Sequence, residues 1–313
     1  MIEARDLTKY YGRTRAVEEL TFTVRPGRVT GFLGPNGSGK TTTMRLALGL
    51  DTPSSGRITV AGQRYRDLVR PLHTIGALLD AGDVLPTRSA AAHLAFLAAS
   101  NGIPRRRVDE VLAMVGLADV ADQRVKGFSL GMRQRLGIAA AVLGDPEILI
   151  LDEPVNGLDT EGIRWIRTML RAMADEGRTI LLSSHLMSET QLVADHLLVI
   201  GAGRLLADES TAQFIESRTE PVVRIRGAAL APLLDRLGPG AEVRGDTATV
   251  RGIGSREISR RAVASGVVLD ELTPLHESVE EVFTRLVTDH QQFGHREPTA
   301  PHLDGAEPKG TAA

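Results

Sequence analysis

Nine consecutive residues, Gly34-Pro35-Asn36-Gly37-Ser38-Gly39-Lys40-Thr41-Thr42, hold the most specific chemistry in the chain. Gly34 and Gly39-Lys40-Thr41 fit the phosphate-loop pattern G-x-x-x-x-G-K-[ST], with an apolar strand-like run before it and a helical one after. Glycines let backbone N–H groups curl around phosphates, and a following helix turns its positive end toward them. Lys40 can reach the terminal phosphates, and the Thr41 hydroxyl can ligand Mg²⁺. Far downstream, Ile148-Leu149-Ile150-Leu151 ends on Asp152-Glu153. A carboxylate at the end of a buried strand can share that Mg²⁺ with Thr41, and its neighbour Glu153 can orient or deprotonate an attacking water. Asp80 follows a further short apolar run, and His185 follows Ser183-Ser184 at the end of another, where it can contact a γ-phosphate. Ser129 precedes a helical stretch. It reads first as an N-cap, and the positive end of that helix could also hold a phosphate, from this chain or from a second one.

These groups need a scaffold that brings strand ends together. Residues 2–7, 17–24 and 28–33 read as strands, with Gly12 and Pro26-Gly27 as turns. Tyr10-Tyr11-Gly12 lies in the first turn, where Tyr11 could stack on a purine or merely cover a sheet edge; the residues alone favour the second. From about 87 to 144 the periodicity is helical, as in Val108, Val111, Leu112 and Val115. Then come a strand at 148–151, a helix at 160–175, a strand at 179–182 and a hairpin over 197–207, which is the pattern of buried parallel strands. Beyond 218, strands at 222–226 and 247–251 alternate with helices at 228–237 and 255–265. Ser278-Val279-Glu280-Glu281 is a capping box that opens another helix. The expected fold class is therefore α/β: a mixed β-sheet core with a helical insertion (87–144) across 1–218, a small α+β domain at 219–288 and a disordered tail at 289–313.

Composition excludes several classes. With 37 basic against 39 acidic residues and arginines scattered without a stripe, nothing points to nucleic acid. The absence of cysteine removes disulfides and thiolate metal sites. The amino terminus lacks the layout of a signal peptide, and no apolar run approaches the ~18 residues of a membrane span, which predicts a cytoplasmic protein.

Taken together, these motifs resemble the ATP-binding subunit of ABC transporters, over about residues 1–215. Gly34–Thr42 looks like the Walker A loop of that family, and Ile148–Glu153 like its Walker B strand with the catalytic Glu. Phe128-Ser129-Leu130-Gly131-Met132 resembles its signature motif, Gly157-Leu158-Asp159 its D-loop, and His185 its switch histidine. By the same resemblance Tyr11 becomes the aromatic that stacks on adenine. Leu130 and Met132 depart from the usual signature, while Ser129 and Gly131 remain as phosphate contacts. Asp80 stands where the family usually has a Gln that touches Mg²⁺ and senses the membrane partner. Both departures, with the C-terminal domain, are similar to the bacitracin- and daunorubicin-resistance branch.

The resemblance implies a P-loop ATPase that binds ATP and Mg²⁺ and pairs with a second ATPase subunit, as a homodimer. Each ATP would lie between the Walker A loop of one subunit and the signature helix of the other, with Asp159 linking the two sites. Closure would drive a separately encoded membrane permease, holding this chain on the inner face of the cell membrane. A soluble ABC ATPase that switches ribosomes or DNA is the competing expectation. The single cassette, without zinc or coiled-coil insertion, weighs against it. The intact Lys40, Asp152, Glu153 and His185 weigh against a non-hydrolysing cassette.

Overall fold

Alternate residues of the short apolar strands serve two separate cores, and this division builds the molecule. The structure, a computed structural model, describes residues 1–218, 221–238, 241–275, 280, 282–286 and 288. An antiparallel pair, β1 (Ile2–Tyr11) and β2 (Thr14–Val24), opens the chain. Both strands run longer than the alternation predicts, because Asp6 and Glu19 adopt left-handed backbone (φ 49° each) and the register shifts around them, so the pair continues past the break. Strand β3 (Arg28–Leu33) leads into helix α1 (Lys40–Ala47), and β4 (Ser55–Val60) then pairs with β1. A short helix α2 (Pro71–Thr74) precedes β5 (Ile75–Leu78).

The helical stretch resolves into α3 (Ala90–Ser100), α4 (Arg106–Met114) and α5 (Leu130–Val142). After it come β6 (Ile148–Leu151), α6 (Thr160–Asp175), β7 (Thr179–Ser184), α7 (Met187–Thr190), β8 (His196–Gly201), β9 (Arg204–Ser210) and α8 (Thr211–Arg218). Six strands form one sheet in the order β5-β6-β7-β3-β8-β9, parallel except for β9. Leu149 and Leu151 of β6 pack toward the helices α3 to α6, whereas Ile148 and Ile150 pack toward α1 and the β2-β1-β4 sheet. Burial on both faces explains the unbroken apolar run, and each such side chain contributes roughly 1.5–3 kcal/mol. The carboxyl ends of β3, β6 and β7 consequently lie side by side, where open α/β sheets place ligands.

The second unit contains β10 (Val222–Arg226), α9 (Ala231–Leu237), β11 (Ala241–Arg244), β12 (Thr247–Arg251), α10 (Ser255–Ala264) and β13 (Glu271–Leu275). Its antiparallel order β11-β12-β10-β13 is the split βαβ arrangement, with its own core around Val223, Ile225, Leu233, Val250 and Ile258. Strands β11 and β13 are absent from the pattern-based expectation. β11 is four mostly exposed residues, and Pro274 argues against a strand in β13, but both are edge strands where such sequences are tolerated. Residues 282–286 are helical, and Val282 and Phe283 pack into the core of the first unit, so the chain returns to the six-stranded sheet. Ser278 of the expected capping box and the tail at 289–313 lie outside the described residues.

Candidate functional site

A cleft of about 590 Å³ opens at the carboxyl ends of the central strands, a size suited to a small ligand. Asn36, Gly37, Ser38, Gly39, Lys40, Thr41 and Thr42 form one wall, and Asp80, Asp152 and Glu153 another. The loop is shaped by its glycines. Gly39, at the N-cap of α1, has φ 106°, a value that L side chains rarely adopt, and offers no side-chain cap to the helix. The first N–H groups of α1 lack intrahelical partners and are left for a ligand. Gly34 does not line the cleft; its carbonyl faces Lys40, and a Cβ there would collide with Ile200 and Ser38.

Lys40 is nearly buried and its Nζ donates to the carbonyls of Gly34 (2.5 Å) and Pro35 (3.2 Å). Desolvation lowers its pKa, opposed by the nearby Glu153 and Asp152 charges. Thr41 Oγ1 donates to Asp152 Oδ2 at 2.6 Å, and Ser183 Oγ donates to Asp152 Oδ1. The same Ser183 Oγ accepts the Glu153 N–H at 2.9 Å. Glu153 sits in left-handed backbone at φ 47°. Its carboxylate lies 2.9 and 3.0 Å from His185 Nδ1, and an ionised carboxylate assigns the proton to that nitrogen.

The residues present fit a phosphate-bound Mg²⁺. Two hard oxygens, Thr41 Oγ1 and Asp152 Oδ2, already converge, and Mg²⁺ typically takes few protein ligands with phosphates and water completing its shell. Among the described residues, no three His, Cys, Asp or Glu side chains converge as an all-protein metal cage. Asp80 lines the cleft, but its Oδ1 accepts the Gly82 N–H at 2.7 Å, so the carboxylate is engaged in its own turn.

Other expected residues sit apart within one chain. Tyr11 is exposed and does not line the cleft; its hydroxyl donates to Asp51 at 2.7 Å, the Thr42 hydroxyl is beside it, and Lys9 Nζ lies 4.9 Å from the ring centroid. The Asp51 hydrogen bond raises the pKa of Tyr11. Ser129 caps α5 by accepting the Met132 N–H at 3.2 Å, and neither Ser129 nor Gly131 lines the cleft. Asp159 caps α6, accepting the Gly162 N–H at 2.9 Å. Leu130 of the altered signature packs against Gly157, where any Cβ would collide with it.

Sequence reading missed Ser183, Arg133, Gln134 and Asn156, the last three lining the cleft. Ser183, a fully buried hydroxyl ending an apolar strand, left a faint signal in the sequence. Gln134 left none, because its partner is a backbone carbonyl on another element.

Comparison with known proteins identifies the family. The ABC transporter family profile matches residues 17–156, and a domain of unknown function matches 221–280. A bacitracin transport ATP-binding protein, BcrA of Enterococcus faecalis, is 32% identical over 299 residues, 92% of this chain and 96% of that protein. This chain belongs to the ABC transporter ATP-binding family. The Bacillus licheniformis BcrA is 43% identical over 211 residues, covering 66% of this chain and 69% of that one. A solved ATP-binding subunit of an ABC transporter superposes with TM-score 0.64 at 26% identity, covering 69% of this chain and 92% of that one. The chain binds and hydrolyses ATP as the ATPase subunit of a transport system. No helix among its described residues is long and apolar enough to cross a membrane.

Proposed function

We propose that this ABC subunit powers antibiotic or multidrug export, working as a homodimer around two ATP molecules and driving a separate membrane permease. The similarity to a bacitracin transport ATP-binding protein over nearly the whole chain supports the substrate class. The observation that carries the chemistry is Glu153, whose carboxylate is aimed by His185 next to the Thr41–Asp152 pair. In this reading Gly37 to Thr42 and Lys40 hold the phosphates, and Thr41 and Asp152, with Asp80 behind them, would hold Mg²⁺. When bound, that ion neutralises charge on the β- and γ-phosphates. Glu153 accepts a proton from the attacking water, and His185 fixes the carboxylate while its opposite ring edge faces the γ-phosphate.

The cleft is half of a site. Ser129 and Gly131, on the opening turn of α5, would be presented to the nucleotide of the second copy, and Asp159 would meet that copy across the interface. Tyr11, beside Thr42 at the flank of the loop, would take the adenine ring once its hydroxyl leaves Asp51. The subunit would sit on the inner face of the membrane through the permease.

Glu153→Gln tests this reading. The variant should bind ATP, slow hydrolysis by at least ~10²-fold and accumulate as an ATP-bound dimer by size-exclusion chromatography. Hydrolysis at the wild-type rate would remove Glu153 from the mechanism. Isolation of the tagged subunit from membranes without any integral membrane protein attached would count against the export assignment.

A further inference from the structure

Glu153 is held at every polar backbone atom. Its N–H donates to Ser183 Oγ, and its carbonyl accepts the Asn156 N–H (3.2 Å) and the side-chain amide of Gln134 (Nε2, 3.2 Å). The first comes from the end of the neighbouring strand β7, and the second from the turn that Glu153 itself opens. The third comes from α5, a different element, and Gln134 is 5% exposed on it. A buried amide that loses its partner is penalised, so the contact resists breaking. The left-handed φ of 47° at Glu153 is a disfavoured backbone state for a non-glycine residue, and such states persist only where the surroundings over-determine them.

Helix α5 is itself seated without slack. Gly76 of β5 allows the helix backbone so close that a Cβ there would collide with the Ala141 carbonyl. Gln134 lies five residues after Ser129, about 7.5 Å along the helix at ~1.5 Å per residue. A tilt of the opening turn of α5 therefore reaches the Glu153 carbonyl through one rigid helix turn and one hydrogen bond.

We propose that Gln134 is a positioning residue for Glu153, setting the catalytic carboxylate according to the seating of helix α5. The proposal rests on Glu153 being the base. It adds that the helix whose first turn meets the partner copy's nucleotide also aims the carboxylate of its own site. Hydrolysis in one site then depends on what the other site has placed on α5, by a route separate from Asp159.

The test is steady-state ATP hydrolysis by the full chain with Gln134→Met and Gln134→Glu, each also combined with Glu153→Gln. Both variants keep the length of the side chain and suit a helix, and the Glu153 carbonyl retains the Asn156 N–H, so the fold should hold. For Gln134→Met the expected result is a kcat lower by ~10–100-fold, since a misplacement of about 1 Å costs on the order of 10²-fold. KM for ATP and the melting temperature should stay near wild type. Gln134→Glu sets an acceptor against an acceptor and should lose more. In the Glu153→Gln background neither substitution should slow hydrolysis further, because both act through the same carboxylate. A wild-type kcat in Gln134→Met overturns the proposal. So does a full multiplicative loss in the double variants, or a fall in kcat matched by shifts in KM and melting temperature. A wild-type rate in Glu153→Gln alone is a different failure, one that removes the base and with it the reading on which Gln134 depends.

Discussion

Replacing Ser183 by alanine deletes one oxygen and orphans two groups. The Ser183 hydroxyl donates to Asp152 Oδ1 and accepts the Glu153 N–H, and the residue is 0% exposed, leaving no direct route for solvent to the gap. A hydrogen bond to a charged group contributes about 1.5–3 kcal/mol and a neutral one about 0.5–1.5 kcal/mol. The expected loss is therefore roughly 2–4 kcal/mol of stability in the ATPase unit. Trp165, the only tryptophan of the chain, lies in α6 with the Arg135 guanidinium 5.2 Å from its ring, so its fluorescence reports on this unit. In urea, with a slope of ~1–3 kcal/mol per molar, the midpoint should fall by about 1–2 M. The same change frees Asp152 to rotate from Thr41, so hydrolysis should drop by ~10-fold or more at limiting Mg²⁺ and recover in part at high Mg²⁺. A midpoint within 0.3 M (about) of wild type, with unchanged Mg²⁺ dependence, would show that this hydroxyl is neither a structural nor a positional link between the two carboxylates.

Substitutions at two further positions separate stability from binding. Lys40→Met removes an ammonium whose pKa is lowered by desolvation, so between its folded and unfolded pKa values the unfolded chain binds more protons and stability rises with pH. At neutral pH the buried charge is therefore a penalty, and the variant without nucleotide should unfold at higher urea than wild type. Its stabilisation by ATP, about 2.7 kcal/mol for wild type at a hundredfold excess over Kd, should vanish; retained stabilisation would contradict the role given to Lys40. Tyr11→Phe removes an exposed hydrogen bond to Asp51 and should change stability by less than about 1 kcal/mol while preserving ATP affinity. Tyr11→Ala should weaken ATP by several-fold, in line with ~0.5–1.5 kcal/mol for a ring–ring contact, as read by calorimetry. Equal affinities for the two variants would place adenine elsewhere.

Much of the site was legible because its chemistry is local in the chain. A phosphate cradle made of successive backbone N–H groups must be written as one short glycine-bearing stretch, and Gly34 to Thr42 is that stretch. Asp152 and Glu153 were readable because a fully buried parallel strand shows as an unbroken apolar run, and a carboxylate at its end stands out. The second unit was less legible: β13 hides behind Pro274, whose missing N–H matters only if another strand lies beyond it, and among the described residues no strand does.

Residue types and spacing by themselves determined that this protein holds a nucleoside triphosphate, since the loop from Asn36 to Thr42 that lines the cleft is one continuous stretch of chain. Only the tertiary structure decided what holds Glu153. Ser183 meets Asp152 and Glu153 because β6 and β7 are neighbours in the sheet, and Gln134 meets the Glu153 carbonyl because α5 packs down on β5. Such contacts join elements distant in sequence through backbone atoms that every residue possesses, so no pattern of side chains announces them.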